Sequence, residues 1–162
     1  MKFSVNREAL LRPLTIVAGA VERRQTMPIL SNLLIIASGN KLVITGTDLE
    51  VELSATIILD DAAETNGDIT VPARKFVDIC KSLPDSCDIS FSLDQGKAVV
   101  KSGRSRYTLA TLAAADFPSV QKDESRFSAT VNQGDFAQLI DRTAFSMAQQ
   151  DVRYYLNGML WE

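Results

Sequence analysis

SVNREALLRPLTIVAGA, Ser4 to Ala20, decides how this chain is read, because its pattern recurs twice further along. Set over TVNQGDFAQLIDRTAFS, Thr130 to Ser146, it puts Val5-Asn6 on Val131-Asn132, Leu10 on Phe136, Leu14 on Ile140 and Ala18 on Ala144. Continued without a gap, the same offset of 126 puts Leu30 on Leu156, Leu33 on Met159, Leu34 on Leu160 and Ile35 on Trp161. A weaker echo at an offset of 66 sets FSVNREALL over ITVPARKFV, matching Phe3 with Ile69, Val5 with Val71 and Leu10 with Phe76. Fixed-period self-similarity marks a repeat architecture, in which units bury their cores partly against neighbours. The chain therefore reads as one unit of about 126 residues, itself built of two similar halves, plus the opening of a second unit.

Local signals agree. KFSV is a short strand, Asn6 is suited to cap a helix, and Leu10, Leu14, Val17 and Val21 follow at helical spacing with Leu11 and Ala18 beside them. Strands NLLIIAS and KLVITG meet at a Gly39-Asn40 turn. In DLEVELSATIIL, Leu49, Val51, Leu53, Ala55 and Ile57 alternate with polar residues, the period of a half-buried strand. After Asn66-Gly67 the order repeats: strand GDITV, helix PARKFVDICKSL with Phe76, Ile79, Cys80 and Leu83 on one side, then DISFSL, KAVVKSG and SRYTLATL. Each half is strand, helix, three strands. The expected organisation is an α+β domain over 1–118, a linker over 119–126, and a strand-helix-strand opening of a second domain over 127–162. Arg153 to Glu162, RYYLNGMLWE, is expected to supply the last of those strands.

Composition removes several functions. There is no histidine, hence no Ser-His or Cys-His nucleophile and no imidazole metal ligand. No phosphate-binding glycine loop and no nucleophile elbow occurs. No catalytic residue, metal or cofactor is expected. Cys80 and Cys87 are two thiols with no framework around them, read as reduced. No apolar run approaches the ~18 residues of a membrane span, and Arg7 and Arg12 fall where a signal peptide would be apolar. A cytoplasmic protein with no membrane partner is the expectation. Net charge is −3, but it is segregated. Residues 1–30 carry +3, 31–72 carry −6, 73–112 carry +3 and 113–162 carry −3, so basic blocks fall on helices and the deepest acidic block on strands.

Five stretches carry a family resemblance along nearly the whole chain: TMPILSNLLI, TGTDLEVEL, VPARKFVDICKSLP, SGRSRYTLATLAAADFP and FSMAQQDVRYYLNGMLWE. With the repeated halves, the chain resembles the beta subunits of bacterial DNA polymerase III, the DNA sliding clamps. The resemblance implies the DNA-clamp fold and a non-catalytic processivity factor: a homodimeric ring of three such domains per subunit, helices around sequence-independently held duplex DNA, sheets on the rim. It implies as partners a second subunit and, through a peptide pocket, the replicative polymerase, the clamp loader and repair polymerases.

The resemblance also implies sites. Arg24 matches the duplex-contacting arginine of the loop ERRQT, with Arg23 beside it, and Gln150, Asp151, Tyr154 and Tyr155 match a second DNA-contacting loop. An arginine on phosphate with tyrosines able to stack on an exposed base suits contact with duplex and single strand together. One tyrosine of the pair is expected to pack inward, since adjacent strand residues face opposite ways. Arg7, Arg12, Arg74 and Lys81 are assigned to the helix layer as groove-facing charges. Lys75, Arg104, Arg106 and Leu109 match the dimer edge, while Leu156, with Arg153 nearby, matches one wall of the peptide pocket. The third domain and the remaining pocket walls have no counterpart in these residues, which leaves a second reading, an interaction fragment that caps a longer subunit or self-associates through its unpaired dimer edge.

Overall fold

The computed structural model describes residues 1–21, 27–118 and 128–161. The chain divides into two compact units, Met1–Gln121 and Lys122–Glu162.

In the first unit the two expected halves are present. The first runs β1 (Lys2–Asn6), α1 (Arg7–Val17), β2 (Asn32–Ser38), β3 (Lys41–Thr47) and β4 (Glu52–Ile58). The second runs β5 (Gly67–Pro72), α2 (Ala73–Ser82), β6 (Asp88–Asp94), β7 (Lys97–Ser102) and β8 (Ser105–Ala110). Asn6 caps α1, its side chain accepting from the Glu8 N–H at 3.0 Å. Leu10, Leu14 and Val17 bury one stripe of α1, and Phe76, Val77, Ile79 and Cys80 one stripe of α2.

The halves exchange their first strands. The sheets run β1-β6-β7-β8 and β4-β3-β2-β5, all neighbours antiparallel, so β1 joins the strands of the second half and β5 those of the first. Phe3 pairs with Phe91 and Val5 with Ile89; equivalently, Ile69 pairs with Ile35 and Val71 with Leu33. Phe91 lies at the centre, stacked on Phe3 at 5.0 Å and met edge-on by Phe76 at 6.0 Å. Buried Thr70 fastens the sheets together, accepting from the Asn32 amide at 2.9 Å and donating to the Leu112 carbonyl at 2.9 Å.

The register exposes an insertion. Phe3 and Ile69 are 66 residues apart, but their strand partners Ile35 and Phe91 are 56 apart. The first half therefore carries ten extra residues between helix and second strand, the segment that includes ERRQT.

The β3–β4 connection departs from the expected alternation. Leu49 and Val51 are exposed because β4 starts only at Glu52. Thr47 and Asp48 fold the residues between into a turn: Asp48 Oδ1 accepts from the Glu50 and Val51 N–H groups, and Thr47 Oγ1 accepts from that of Leu49. Leu49 sits there at φ 81°, left-handed.

In the second unit α3 spans Gln133–Thr143, capped by Asn132, whose Oδ1 accepts from the Gly134 N–H at 2.8 Å. Short 3-10 turns follow at Ala144–Ser146 and Tyr154–Asn157. Displaced by 126, these coincide end for end with α1 and with the 3-10 turns Ala18–Ala20 and Pro28–Ser31 of the first unit. The expectation for RYYLNGMLWE is thereby corrected. Tyr154–Asn157 is the equivalent of the turn PILS, and the residues matching β2 begin only at Gly158. Among the described residues no strand forms over 158–161 or over 128–132, since extended backbone needs a neighbour to satisfy its N–H and C=O groups. No helix among the described residues is long and apolar enough to cross a membrane.

Candidate functional site

Two groups of residues matter: the polar faces of α1 and α2, and the loop from Ala148 to Leu156 in the second unit.

On α1, Arg12 is exposed opposite the buried stripe. On α2, Arg74 and Lys81 stand on the exposed side with Asp78, and Lys75 lies on the flank. Arg12, Arg74, Lys75 and Lys81 have no ion-pair partner among the described residues. Lys81 also lies in the last turn of α2, where a cation meets the negative end of the helix dipole.

Arg7 is a correction. Its side chain retains only 11% of its exposure: Nε donates to the Cys80 carbonyl at 2.8 Å, Nη1 to Asp85 at 2.7 Å and Nη2 to the Lys81 carbonyl at 3.4 Å. The guanidinium thus caps the end of α2, where helical carbonyls lack intrahelical donors. From the next position Glu8 accepts from the Ser86 N–H and hydroxyl, and the Arg7 N–H donates to the Cys87 carbonyl. Arg7 is a clasp between helices, not a free charge.

Of the expected dimer-edge residues, Lys75, Arg104 and Arg106 are exposed, whereas Leu109 is core. On β8, Tyr107 and Leu109 turn inward and Arg106, Thr108 and Ala110 outward, so period-two geometry removes Leu109 from that surface. β8 is the edge of its sheet over Ser105–Ala110.

Arg23 and Arg24 lie outside the described residues. By the offset of 126, however, Arg24 corresponds to Gln150, so ERRQT and AQQDVRYY occupy equivalent places in successive units. The second of these loops is closed at its base by the Ala148 N–H donating to the Leu156 carbonyl at 2.9 Å. Gln150 takes a left-handed φ of 58°. The Asp151 carboxylate accepts from the Arg153 N–H at 2.8 Å, from Nε at 3.0 Å and from Nη2 at 3.0 Å. Those hydrogen bonds from Arg153 hold the Asp151 carboxyl below its ordinary range, and the same pairing raises Arg153. The Asn157 amide bonds both main-chain groups of Asp151, accepting from N–H at 3.0 Å and donating to C=O at 3.1 Å.

Tyr154 and Tyr155 project from this frame with 83% and 67% of their surfaces exposed. Their rings meet edge to face at 5.9 Å. Neither is packed inward, contrary to the strand-based expectation, because a 3-10 turn does not alternate faces as a strand does. Leu156 lines a cavity of about 490 Å³ with Ile140, Thr143, Met147 and Trp161; Arg153 does not.

The fold is that of a clamp domain: two strand-helix-three-strand halves of like order, with their first strands exchanged. The chain belongs to the DNA polymerase III beta subunit family. The family's N-terminal domain matches residues 1–121 and its central domain residues 130–162. A beta sliding clamp of Pseudomonas aeruginosa is 57% identical over all 162 residues, which make up 44% of that protein. A crystal structure of the DNA polymerase III subunit beta from the same organism is 56% identical and superposes with a TM-score of 0.94, over 98% of this chain and 43% of that one. A Pseudomonas aeruginosa clamp bound to griselimycin is 57% identical with a TM-score of 0.94, over 98% and 43%. The chain spans less than half the length of these relatives.

Proposed function

We propose that this chain is the N-terminal part of a DNA sliding clamp, a non-catalytic ring that encircles duplex DNA and holds the replicative polymerase on its template. The observation that carries this reading is the set of exposed cations Arg12, Arg74 and Lys81 on the polar faces of α1 and α2, unpaired among the described residues, on a domain whose family is that of the clamps. Exposed cations on helices favour phosphates without reading bases, which suits a protein that must slide. Arg23, Arg24, Gln150, Tyr154 and Tyr155 are assigned to duplex and single-strand contact from two equivalent loops. Leu156 is assigned to the wall of a pocket for short peptide segments of polymerases and clamp loader, a reading favoured by the cavity beside it.

The test is duplex affinity measured against salt. Three phosphate contacts, at about −0.9 each, give a log–log slope of roughly −3. Replacing Arg12, Arg74 and Lys81 together by alanine should flatten that slope while the melting temperature falls by no more than a few degrees, the share of Lys81 at the end of α2. Tight, salt-independent binding, or an unaltered slope in the triple variant, would overturn the reading.

A second reading rests on β8. An edge strand with an unpaired outer ladder can pair with another chain, and Lys75, Arg104 and Arg106 would favour an acidic partner strand or helix. This edge is assigned to subunit contact in the whole clamp and to capping or self-association in this chain. Light scattering distinguishes them: a mass that rises with concentration and returns to that of one chain on placing proline at Thr108 supports self-association through β8.

A further inference from the structure

The loop from Ala148 to Leu156 holds an arginine and two tyrosines, yet its charge is already spoken for. We propose that Asp151 is a positioning residue that presents the Tyr154–Tyr155 pair and neutralises Arg153, so that this loop takes unpaired bases by stacking and leaves phosphates to other cations. The inference rests on the nucleic-acid reading above and extends it to how the loop discriminates.

Three features of the geometry carry it. First, Asp151 uses both carboxylate oxygens on one residue, Oδ1 on the Arg153 N–H and Nε and Oδ2 on Nη2, which is the two-pronged arrangement that locks a guanidinium in plane. A guanidinium held this way offers little net charge to a phosphate. Second, the main chain of Asp151 is itself pinned by the Asn157 amide, so the clamp is anchored to the far side of the tyrosine turn. The Leu156 N–H donating to the Arg153 carbonyl at 2.9 Å closes that turn from within. Third, the ordered frame ends in two rings that bury little: a large apolar surface is kept in water by a set of hydrogen bonds made within the loop. In their edge-to-face arrangement the edge of one ring covers one face of the other, and the remaining faces are available for planar, uncharged ligands. Base stacking on such faces is tolerant of sequence and insensitive to salt, unlike phosphate contact.

The experiment compares the full chain with Asp151→Asn, Tyr154→Ala and Asp151→Asn/Arg153→Gln. Binding of a short fluorescein-labelled oligothymidylate is followed by anisotropy over a salt series. Asparagine keeps an acceptor for the Arg153 N–H but cannot neutralise the guanidinium. Asp151→Asn should therefore steepen the single-strand salt slope by about 0.7, the value of one added phosphate contact, and Arg153→Gln in the same background should restore it. A purely structural Asp151 would change affinity without moving that slope. Tyr154→Ala should weaken binding about tenfold with the slope unchanged. An Asp151→Asn slope identical to that of the parent overturns the masking role even when Tyr154→Ala weakens binding. If Asp151→Asn steepens the slope but Tyr154→Ala changes nothing, masking stands and the reading of the tyrosines as a base platform falls.

Discussion

Arg7→Ala tests whether this arginine is structural or belongs with those proposed to face DNA. The residue donates to the Cys80 carbonyl at 2.8 Å and to Asp85 at 2.7 Å, with a longer contact of 3.4 Å to the Lys81 carbonyl. The Asp85 pair contributes little, because that carboxylate is 86% exposed and screened. Most of the loss comes from the Cys80 carbonyl, a half-buried acceptor at the end of α2 that would lose a charged donor. Hydrogen bonds to charged groups are worth about 1.5–3 kcal/mol, so the net cost should be about 2 kcal/mol, or roughly 6–10 °C in melting temperature. Urea unfolding and thermal melts followed by circular dichroism measure this, with duplex affinity measured in parallel. Arg7→Lys keeps the charge but not the fork, and should recover little of the stability. A variant that keeps its melting temperature and loses duplex affinity, with lysine restoring binding, would refute the clasp and return Arg7 to the residues proposed to face DNA.

Four further outcomes follow from the packing. Phe91→Ala removes the ring on which Phe3 and Phe76 converge and should cost about 3–5 kcal/mol; a loss under 1 kcal/mol in urea would mean that the sheets do not share this core. Gly46→Ala places a Cβ 2.9 Å from both the Val17 carbonyl oxygen and Leu33 Cδ2, so it should lower stability by about 1–3 kcal/mol, and an unchanged melting temperature would contradict the close approach of α1 to β3. Leu49→Asn relieves a left-handed leucine at small cost in burial and should raise the melting temperature by a few degrees, whereas a fall would show that the exposed side chain stabilises the fold. Burial pushes the Cys80 thiol up to about 12. Because that value lies above the unfolded one, its contribution is complete below pH ~9 and declines toward pH ~12 as the unfolded chain ionises first. Cys80→Ala should make stability less dependent on pH across that window, and an identical alkaline profile would exclude the thiol as its source.

The repeat was legible because helical stripes and N-caps are local signals. Val-Asn before α1 and again before α3 announces both helices, and the offset of 126 places their ends to the residue. Strand exchange was not legible: which sheet receives β1 depends on long-range pairing between Phe3 and Phe91, and nothing near Phe3 specifies it. A trace existed in the two spacings, 66 for the first strands and 56 for their partners, but it emerges only once the pairing is known. Alternation misled at Leu49 and Val51 because their period is that of a strand, while Thr47 and Asp48 bond local N–H groups and turn the chain first. It misled again at RYYLNGMLWE, where apolar content suggested a strand and the repeat itself, carried through Pro28–Ser31, marks a turn.

Charge was the least legible property of the site, and for a physical reason. Sequence counts a guanidinium at Arg7, Arg12 and Arg153 alike, but availability depends on what lies within hydrogen-bonding distance after folding. Arg7 is spent on the end of α2 and Arg153 on Asp151, leaving Arg12 exposed and unpaired among the described residues. The two spent arginines differ in turn. Arg7 is consumed by a backbone carbonyl that no single substitution can remove, so its loss is a folding defect. Arg153 is consumed chiefly by one side chain two residues away, so one substitution can release its charge while asparagine still accepts from its N–H.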